Sequence, residues 1–407
     1  MNQDDLRMPG SGNIWQNRSF LLLFAGEGIS ALGDAVTMTA IPLIVIQETG
    51  SGTQVGIVAL LQFIPQVAFC LLAGALADRW NRRRMMLASN VGRALLTALI
   101  PLASILGRPV VPLLYLVAVP LGLLSAMFAA GYQAALPSLV RKEQLGTAAG
   151  YVNASVTLGY IMGPALAGAL AHTLGAGTTM AIDAMTFLVS VTLLAFLRVP
   201  AHALDSVKPS ILGELWEGVA FTFRQPSMRV LTSLVLLESV ASAPLVTAIT
   251  VHVVRHGMSS AVLGTILSAG GLGAATGYAL GGKLAHGRAK PVLLGSLAGA
   301  GLVNLFIGHF TSPLPLIAGV FLSSALNASF LSVNLALRLT LIPDELQGRA
   351  GSTMQTFAMA AMGIGTLLGG ALIDWTSGAS AIRASGAACI LVGCAFARAA
   401  PYPEVPA

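Results

Sequence analysis

Leu113-Leu-Tyr-Leu-Val-Ala-Val-Pro-Leu-Gly-Leu-Leu-Ser-Ala-Met-Phe-Ala-Ala130 runs for eighteen residues without a charged side chain. A helix rises about 1.5 Å per residue, so this stretch alone reaches about 27 Å, close to the ~30 Å hydrocarbon core of a bilayer. A membrane-spanning strand would alternate apolar and polar residues. Neither this run nor Leu188–Leu197 does so, and a continuous apolar run in lipid must satisfy its backbone as a helix.

The rest of the chain has the same character. Of its 407 residues 55% are hydrophobic and 9% charged, against roughly 25% charged in a soluble domain. Such a chain cannot cover a water-exposed surface. At about twenty apolar residues per span it holds about twelve helices. The spans are predicted near 19–46, 54–77, 85–106, 110–134, 148–172 and 177–198, then 228–253, 260–284, 291–309, 314–337, 351–374 and 379–397. The chain thus divides into an N-terminal segment (1–18), a six-helix bundle (19–198), a polar linker (199–226), a second six-helix bundle (227–397) and a tail (398–407). The linker places Leu212, Leu215, Trp216, Val219 and Phe223 at helical spacing over Ile211–Phe223, which predicts an amphipathic helix on the membrane surface. The first apolar stretch is too long for a cleavable signal and reads as the first span.

Basic residues set the orientation. With the N-terminus inside, eighteen Lys and Arg fall on the cytoplasmic side and three (Arg108, Arg255, Arg383) on the other. This is the positive-inside bias, and an even number of spans returns the C-terminus to the cytoplasm. It also accounts for the net charge of +6 without nucleic acid, for which no domain outside the spans exists. Cys70, Cys389 and Cys394 have neither metal-ligand nor disulfide-framework spacing.

The halves repeat one another. Gly74-Ala-Leu-Ala-Asp78 matches Gly282-Lys-Leu-Ala-His286, and Glu143-Gln-Leu-Gly-Thr-Ala-Ala-Gly150 loosely matches Asp344-Glu-Leu-Gln-Gly-Arg-Ala-Gly351, at offsets of 208 and 201. The sequence therefore predicts an all-α membrane protein of twelve transmembrane helices in two pseudo-symmetric six-helix bundles.

The loop after the second span reads Gly74-Ala-Leu-Ala-Asp78-Arg79-Trp80-Asn81-Arg82-Arg83-Arg84. It resembles the signature loop of the major facilitator superfamily. Gly74 permits close helix approach, Asp78 suits a helix N-terminus, and Arg79, Arg82 and Arg83 hold the loop inside and can bridge helices. The fifth span reads Gly159-Tyr-Ile-Met-Gly163-Pro164-Ala-Leu-Ala-Gly168. It resembles the Gly-Pro motif of antiporters in that superfamily, which implies export rather than uptake. Together with Gly33-Asp34, Ala135-Leu-Pro137-Ser-Leu-Val140 before Glu143-Gln-Leu145, and Ile182-Asp183-Ala-Met-Thr-Phe187, these motifs look like the branch of enterobactin exporters and macrolide efflux proteins. The fourth span departs from the drug:proton antiporters in carrying no arginine. The resemblance implies a monomeric secondary transporter of the bacterial inner membrane.

Charges within a membrane are costly and need a reason. Five stand out: Glu27, Asp34, Arg93, Asp183 and Glu238. Glu27 and Asp34 lie seven residues apart on one face of the first span, and an offset of about 204, between the two repeat matches, takes Asp34 to Glu238. Each half thus offers one carboxylate on a helix that, by the resemblance, lines a central cavity. Such a carboxylate can bind a proton, a cationic substrate, or both in turn. Arg93 lies as deep as Glu27, which predicts an ion pair between them. Asp183 is predicted to serve helix packing or capping. Phe24, Met38, Gln62, Phe63, Tyr132, Gln133 and Gln355 are expected in the cavity wall by position.

The expected activity is secondary active efflux of an amphiphilic small molecule through the bilayer, by alternating access and proton antiport. The alternative is a dedicated exporter of a siderophore or another endogenous metabolite. No cofactor or metal is expected beyond the proton gradient. The chain has no phosphate-binding Gly-x-x-x-x-Gly-Lys-Ser/Thr loop for an ATP motor. No His-Glu-x-x-His or Gly-x-Ser-x-Gly arrangement suggests an enzyme.

Overall fold

The computed structural model describes residues 13–79, 81–197, 211–285, 288–343 and 346–397, with side chains omitted at 70–79, 211–216, 348 and 349. The side chains of Gly74, Asp78 and Arg79, most of the N-terminal segment, the first part of the linker and the tail lie outside what is described.

The first half comprises α1 (Arg18–Thr49), α2 (Gly52–Arg79), α3 (Arg82–Ile105), α4 (Val111–Leu139), α5 (Leu145–Leu174), and a sixth span in two pieces, α6 (Ala176–Thr179) and α7 (Ala181–Ala195). The linker helix α8 (Ile211–Arg224) precedes a seventh span that is also in two pieces, α9 (Pro226–Ser242) and α10 (Leu245–Arg255). α11 (Ser260–Leu284), α12 (Ala289–Ile307), α13 (Pro313–Leu341), α14 (Gln347–Trp375) and α15 (Gly378–Ala397) follow. Among the described residues twelve spans are long and apolar enough to cross a membrane, and there is no strand.

Helix starts follow local chemistry. Asn17 accepts from the Phe20 N–H at the head of α1, and Asn81 from the Arg84 N–H at the head of α3, each satisfying an otherwise orphan donor. Two spans expected to be continuous are broken. In the seventh, Pro244 has no N–H to offer the carbonyl four residues back, that of Val240. This carbonyl faces Gly365 of α14, where a Cβ would lie 2.5 Å from the oxygen, and the Pro244 ring rests on Gly369. In the sixth, the break at Met180 separates the single turn of α6 from α7.

The linker helix makes contacts that its amphipathic pattern does not specify. Thr222 is fully buried and Phe221 packs beside Met228, Ile342 and Met354. Phe223 meets the edge of Phe357 at 5.9 Å. The last turn of α8 is therefore docked on the second half.

Within the halves, α1 packs on α5 and α7, α2 on α4, and α11 on α13. The halves meet chiefly through α2 with α14 and α5 with α11. Close approach depends on glycine. A Cβ on Gly273 of α11 would collide with the Phe321 carbonyl oxygen of α13, whereas one on Gly282 would meet nothing within 4 Å. Gly273→Val is expected to lower thermal stability in detergent by about 1–3 kcal/mol, the usual cost of overpacking. Gly282→Ala should unfold at the wild-type temperature.

The apolar core differs between the two ends. At the end where α1 turns into α2, one continuous cluster joins both halves: Ile44, Val58, Leu114 and Met180 on one side, Ile249, Val253, Leu263 and Ile373 on the other. At the opposite end, where the loop arginines gather, the clusters are separate. Phe20, Met86, Leu136 and Leu194 belong to the first half, and Leu231, Leu293, Phe330 and Leu337 to the second. We call these the sealed end and the basic end. The glycines with left-handed backbone, Gly50, Gly107, Gly175 and Gly257, all lie in turns at the sealed end.

Candidate functional site

Four of the five intramembrane charges collect in the first half. α1 supplies Glu27 and Asp34, α3 supplies Arg93 and α7 supplies Asp183. Arg93 is buried, and its Nη2 donates to Asp34 Oδ1 in an ion pair. Its partner is thus Asp34 and not Glu27, as sequence depth suggested. The guanidinium is fixed from two more sides. It lies 4.0 Å from the centroid of the Phe187 ring, a favourable cation–π placement, and Nη1 reaches Asn90 Oδ1 at 3.4 Å. Asn90 in turn donates to Ser190 Oγ at 2.9 Å.

Glu27 stands near Asp34 and Arg93, but its Oε2 is buried without a hydrogen-bond partner. A polar atom so placed is costly unless a ligand or proton satisfies it. Asp183 lies in the first turn of α7, where a negative charge suits the helix dipole. It accepts from the Thr37 hydroxyl of α1 and, at 3.4 Å, from Thr186. The same contact explains Gly33: a Cβ there would collide with Asp183 Oδ1.

The second half solves the problem differently. Glu238 on α9 is 3% exposed. Its Oε1 accepts from Asn327 Nδ2 of α13 at 2.6 Å. Among the described residues no cation pairs with it. Asp34 on the first span faces an arginine, whereas Glu238 on the seventh faces the neutral amide of Asn327. Asn327 was not singled out from sequence, since an Asn in an apolar run carries no charge to mark it.

The two sequence motifs acquire geometry. In α5, Gly159 and Gly163 face α1: an added Cβ on the first would lie 2.8 Å from Leu32 N, and one on the second would collide with Ala35 Cβ. Gly168 faces α11 across the seam between the halves, where a Cβ would strike the Ser260 carbonyl oxygen and lie 2.8 Å from Gly264 Cα. Beside Pro164, the Ala165 N–H donates to Ser268 Oγ of α11 at 2.9 Å. In the first turn of α3, Arg83 donates from Nε to the Leu194 carbonyl at 3.1 Å and from Nη2 to that of Ala195, a cation placed on the last carbonyls of α7. Of the residues expected in a cavity wall, Phe24 meets Trp15 at 5.4 Å and, with Tyr132, packs partly buried against the basic-end core of the first half. Met38 is 55% exposed.

Two six-helix halves, joined at one end and separate at the other, with buried charges on the first and seventh spans, define a multi-pass membrane transporter. The chain belongs to the Major Facilitator Superfamily, whose model matches residues 23–288 and 231–407. It is 31% identical over 367 residues to the "Multidrug efflux pump Tap" of Mycolicibacterium fortuitum, covering 87% of this chain and 88% of that protein. It is 27% identical over 380 residues to the "Enterobactin exporter EntS" of Escherichia coli O81 (strain ED1a), covering 92% and 90%. The latter falls in the branch to which the motifs point. The fold is that of the nucleoside transporter NupG, with a TM-score of 0.72 over 93% of this chain and 98% of that one at 14% identity.

Proposed function

We propose that this protein exports an amphiphilic, drug-like molecule across the bacterial cytoplasmic membrane in exchange for protons, as a monomer with both termini inside. The observation that carries this reading is Glu238: a carboxylate buried in the span, held by Asn327, with no cation beside it among the described residues. A group in that setting can take up and release a proton or a cationic headgroup. The Asp34–Arg93 pair is internally neutralised and serves the fold first. Glu27, with its unsatisfied Oε2, is the further binding group of the first half.

Alternating access supplies the mechanism. With the basic end in the cytoplasm, the fused core closes the outer side and the separate cores leave the inner side free to part. Export is supported by the Gly-Pro motif and by the efflux relatives. The test is efflux of a fluorescent lipophilic cation from cells expressing the protein. Efflux should exceed that of empty cells and stop when a protonophore collapses the gradient. Efflux that persists unchanged after collapse would refute proton coupling.

A second reading is a dedicated siderophore exporter, favoured by the likeness to the enterobactin exporter over most of the chain. It would show as siderophore release without efflux of any lipophilic cation.

A further inference from the structure

Asp374 lies in the last turn of α14 at the sealed end and reaches across the seam to the head of α2. Its Oδ1 accepts from the Gly52 N–H at 2.6 Å, and its Oδ2 from the Thr53 N–H at 3.0 Å and the Ser51 hydroxyl at 2.7 Å. A carboxylate of one half thus satisfies the orphan N–H groups and the positive end of a helix of the other. The backbones meet at the same point: a Cβ on Gly52 would lie 2.8 Å from the Gly370 carbonyl oxygen, and one on Gly370 would collide with that of Gly52. The contact extends into the first half, where Ser51 Oγ accepts from the Gln54 N–H at 3.3 Å and Gln54 Oε1 from the Tyr115 hydroxyl at 3.0 Å.

Among the described residues the second seam lacks an equivalent. Where α5 meets α11, Gly168 packs on Ser260 and Gly264, and the head of α11 is capped by its own Ser259. Glu48 makes a similar cap on α4, accepting from the Val110 and Val111 N–H groups, but it stays within the first half. Asp374 is therefore the carboxylate that ties the halves together, among the described residues, and it lies beside the apolar cluster that seals this end, next to Ile373.

We propose that Asp374 is the gating residue of the outer side: its contact with the head of α2 holds the sealed end shut and must break in every transport cycle. The hydrogen bonds are to a charged acceptor, so they are strong but few. A rocking motion of one half against the other parts α14 from α2 and breaks all three together. This inference rests on the alternating-access reading given above.

The test uses purified full-length protein in detergent, with Cys70, Cys389 and Cys394 replaced by alanine and a reporter introduced by Ile249→Cys. Ile249 is 1% exposed within the sealing cluster, so a maleimide reacts there only when the seal opens. Asp374→Ala should speed labelling about tenfold or more, as expected for losing hydrogen bonds to a charged group. In a second protein, Ser51→Cys with Asp374→Cys is oxidised to a disulfide, which should slow labelling below the parent rate until a reductant is added. Rates equal to the parent in both proteins would overturn the proposal, and the disulfide pair decides alone if Asp374→Ala fails to fold. Labelling needs neither substrate nor gradient. A protein that exports no lipophilic cation, yet labels faster on Asp374→Ala, would refute the drug-efflux reading and keep the gate.

Discussion

Glu238→Gln is expected to reduce gradient-driven efflux to the level of cells lacking the protein, with no loss of folded material. Glutamine has nearly the shape of glutamate, and its side-chain carbonyl still accepts from Asn327, which sits 2.6 Å from Glu238 Oε1. The hydrogen bond and packing survive, and what disappears is a group that can gain and lose a proton. Exchange of substrate in the absence of a gradient separates two roles. If Glu238 carries only the proton, exchange should continue in the variant. If the same carboxylate also binds a cationic headgroup, exchange should fall with efflux. Undiminished gradient-driven efflux would remove Glu238 from the mechanism. Asn327→Ala leaves the carboxylate but takes away its nearest donor, so its effect should appear in the pH at which efflux is half-maximal.

Arg93→Met is expected to cost about 3 kcal/mol of stability, enough to lower the yield of folded protein severely. Removing one partner of a buried ion pair costs roughly 3–5 kcal/mol, because the other charge is left uncompensated. The lower end applies because the Asp34 side chain is 35% exposed. The loss is compounded by the company Arg93 keeps: Glu27, Asp34 and Asp183 would remain with no positive charge among them, and the Phe187 ring would lose its cation. Most of the stability should return in Arg93→Met combined with Asp34→Asn, since an unpaired amide is far cheaper to bury than an unpaired carboxylate. Thermal unfolding of the four proteins of this cycle measures the coupling. A single Arg93→Met variant as stable as wild type would mean that the pair is not structural.

The contrast between these residues shows how far the sequence can be read. Apolar runs such as Leu113–Ala130 disclose the spans because the bilayer imposes a length on every helix. The offset linking Asp34 to Glu238 discloses the repeat because both halves keep their polar residues at the same depth. Depth is not azimuth, however. Glu27 and Asp34 share a face of α1, and which of them Arg93 meets depends on how α3 is rotated against α1, set by Phe187 and Asn90 rather than by any spacing. The break at Pro244 was equally hidden, since proline is common in membrane helices and many pass through it with only a bend. Here Gly365 and Gly369, more than a hundred residues away, make room for the break. Asp374 and Glu48 lie at span ends where a charge is ordinary, and only the partner helix tells a latch from a solvated carboxylate.

The left-handed glycines of the sealed end have a consequence for what the cell presents to its surroundings. Gly50 and Gly175 turn the chain within two residues or fewer, and the stretches from Ile105 to Val111 and Ile307 to Pro313 are only slightly longer. With the basic end inside, the exterior meets almost no loop. A protease added to intact cells should find nothing to cut, and an antibody little to grip. Recognition of any molecule from that side must therefore wait until the halves part and the interior itself becomes the surface.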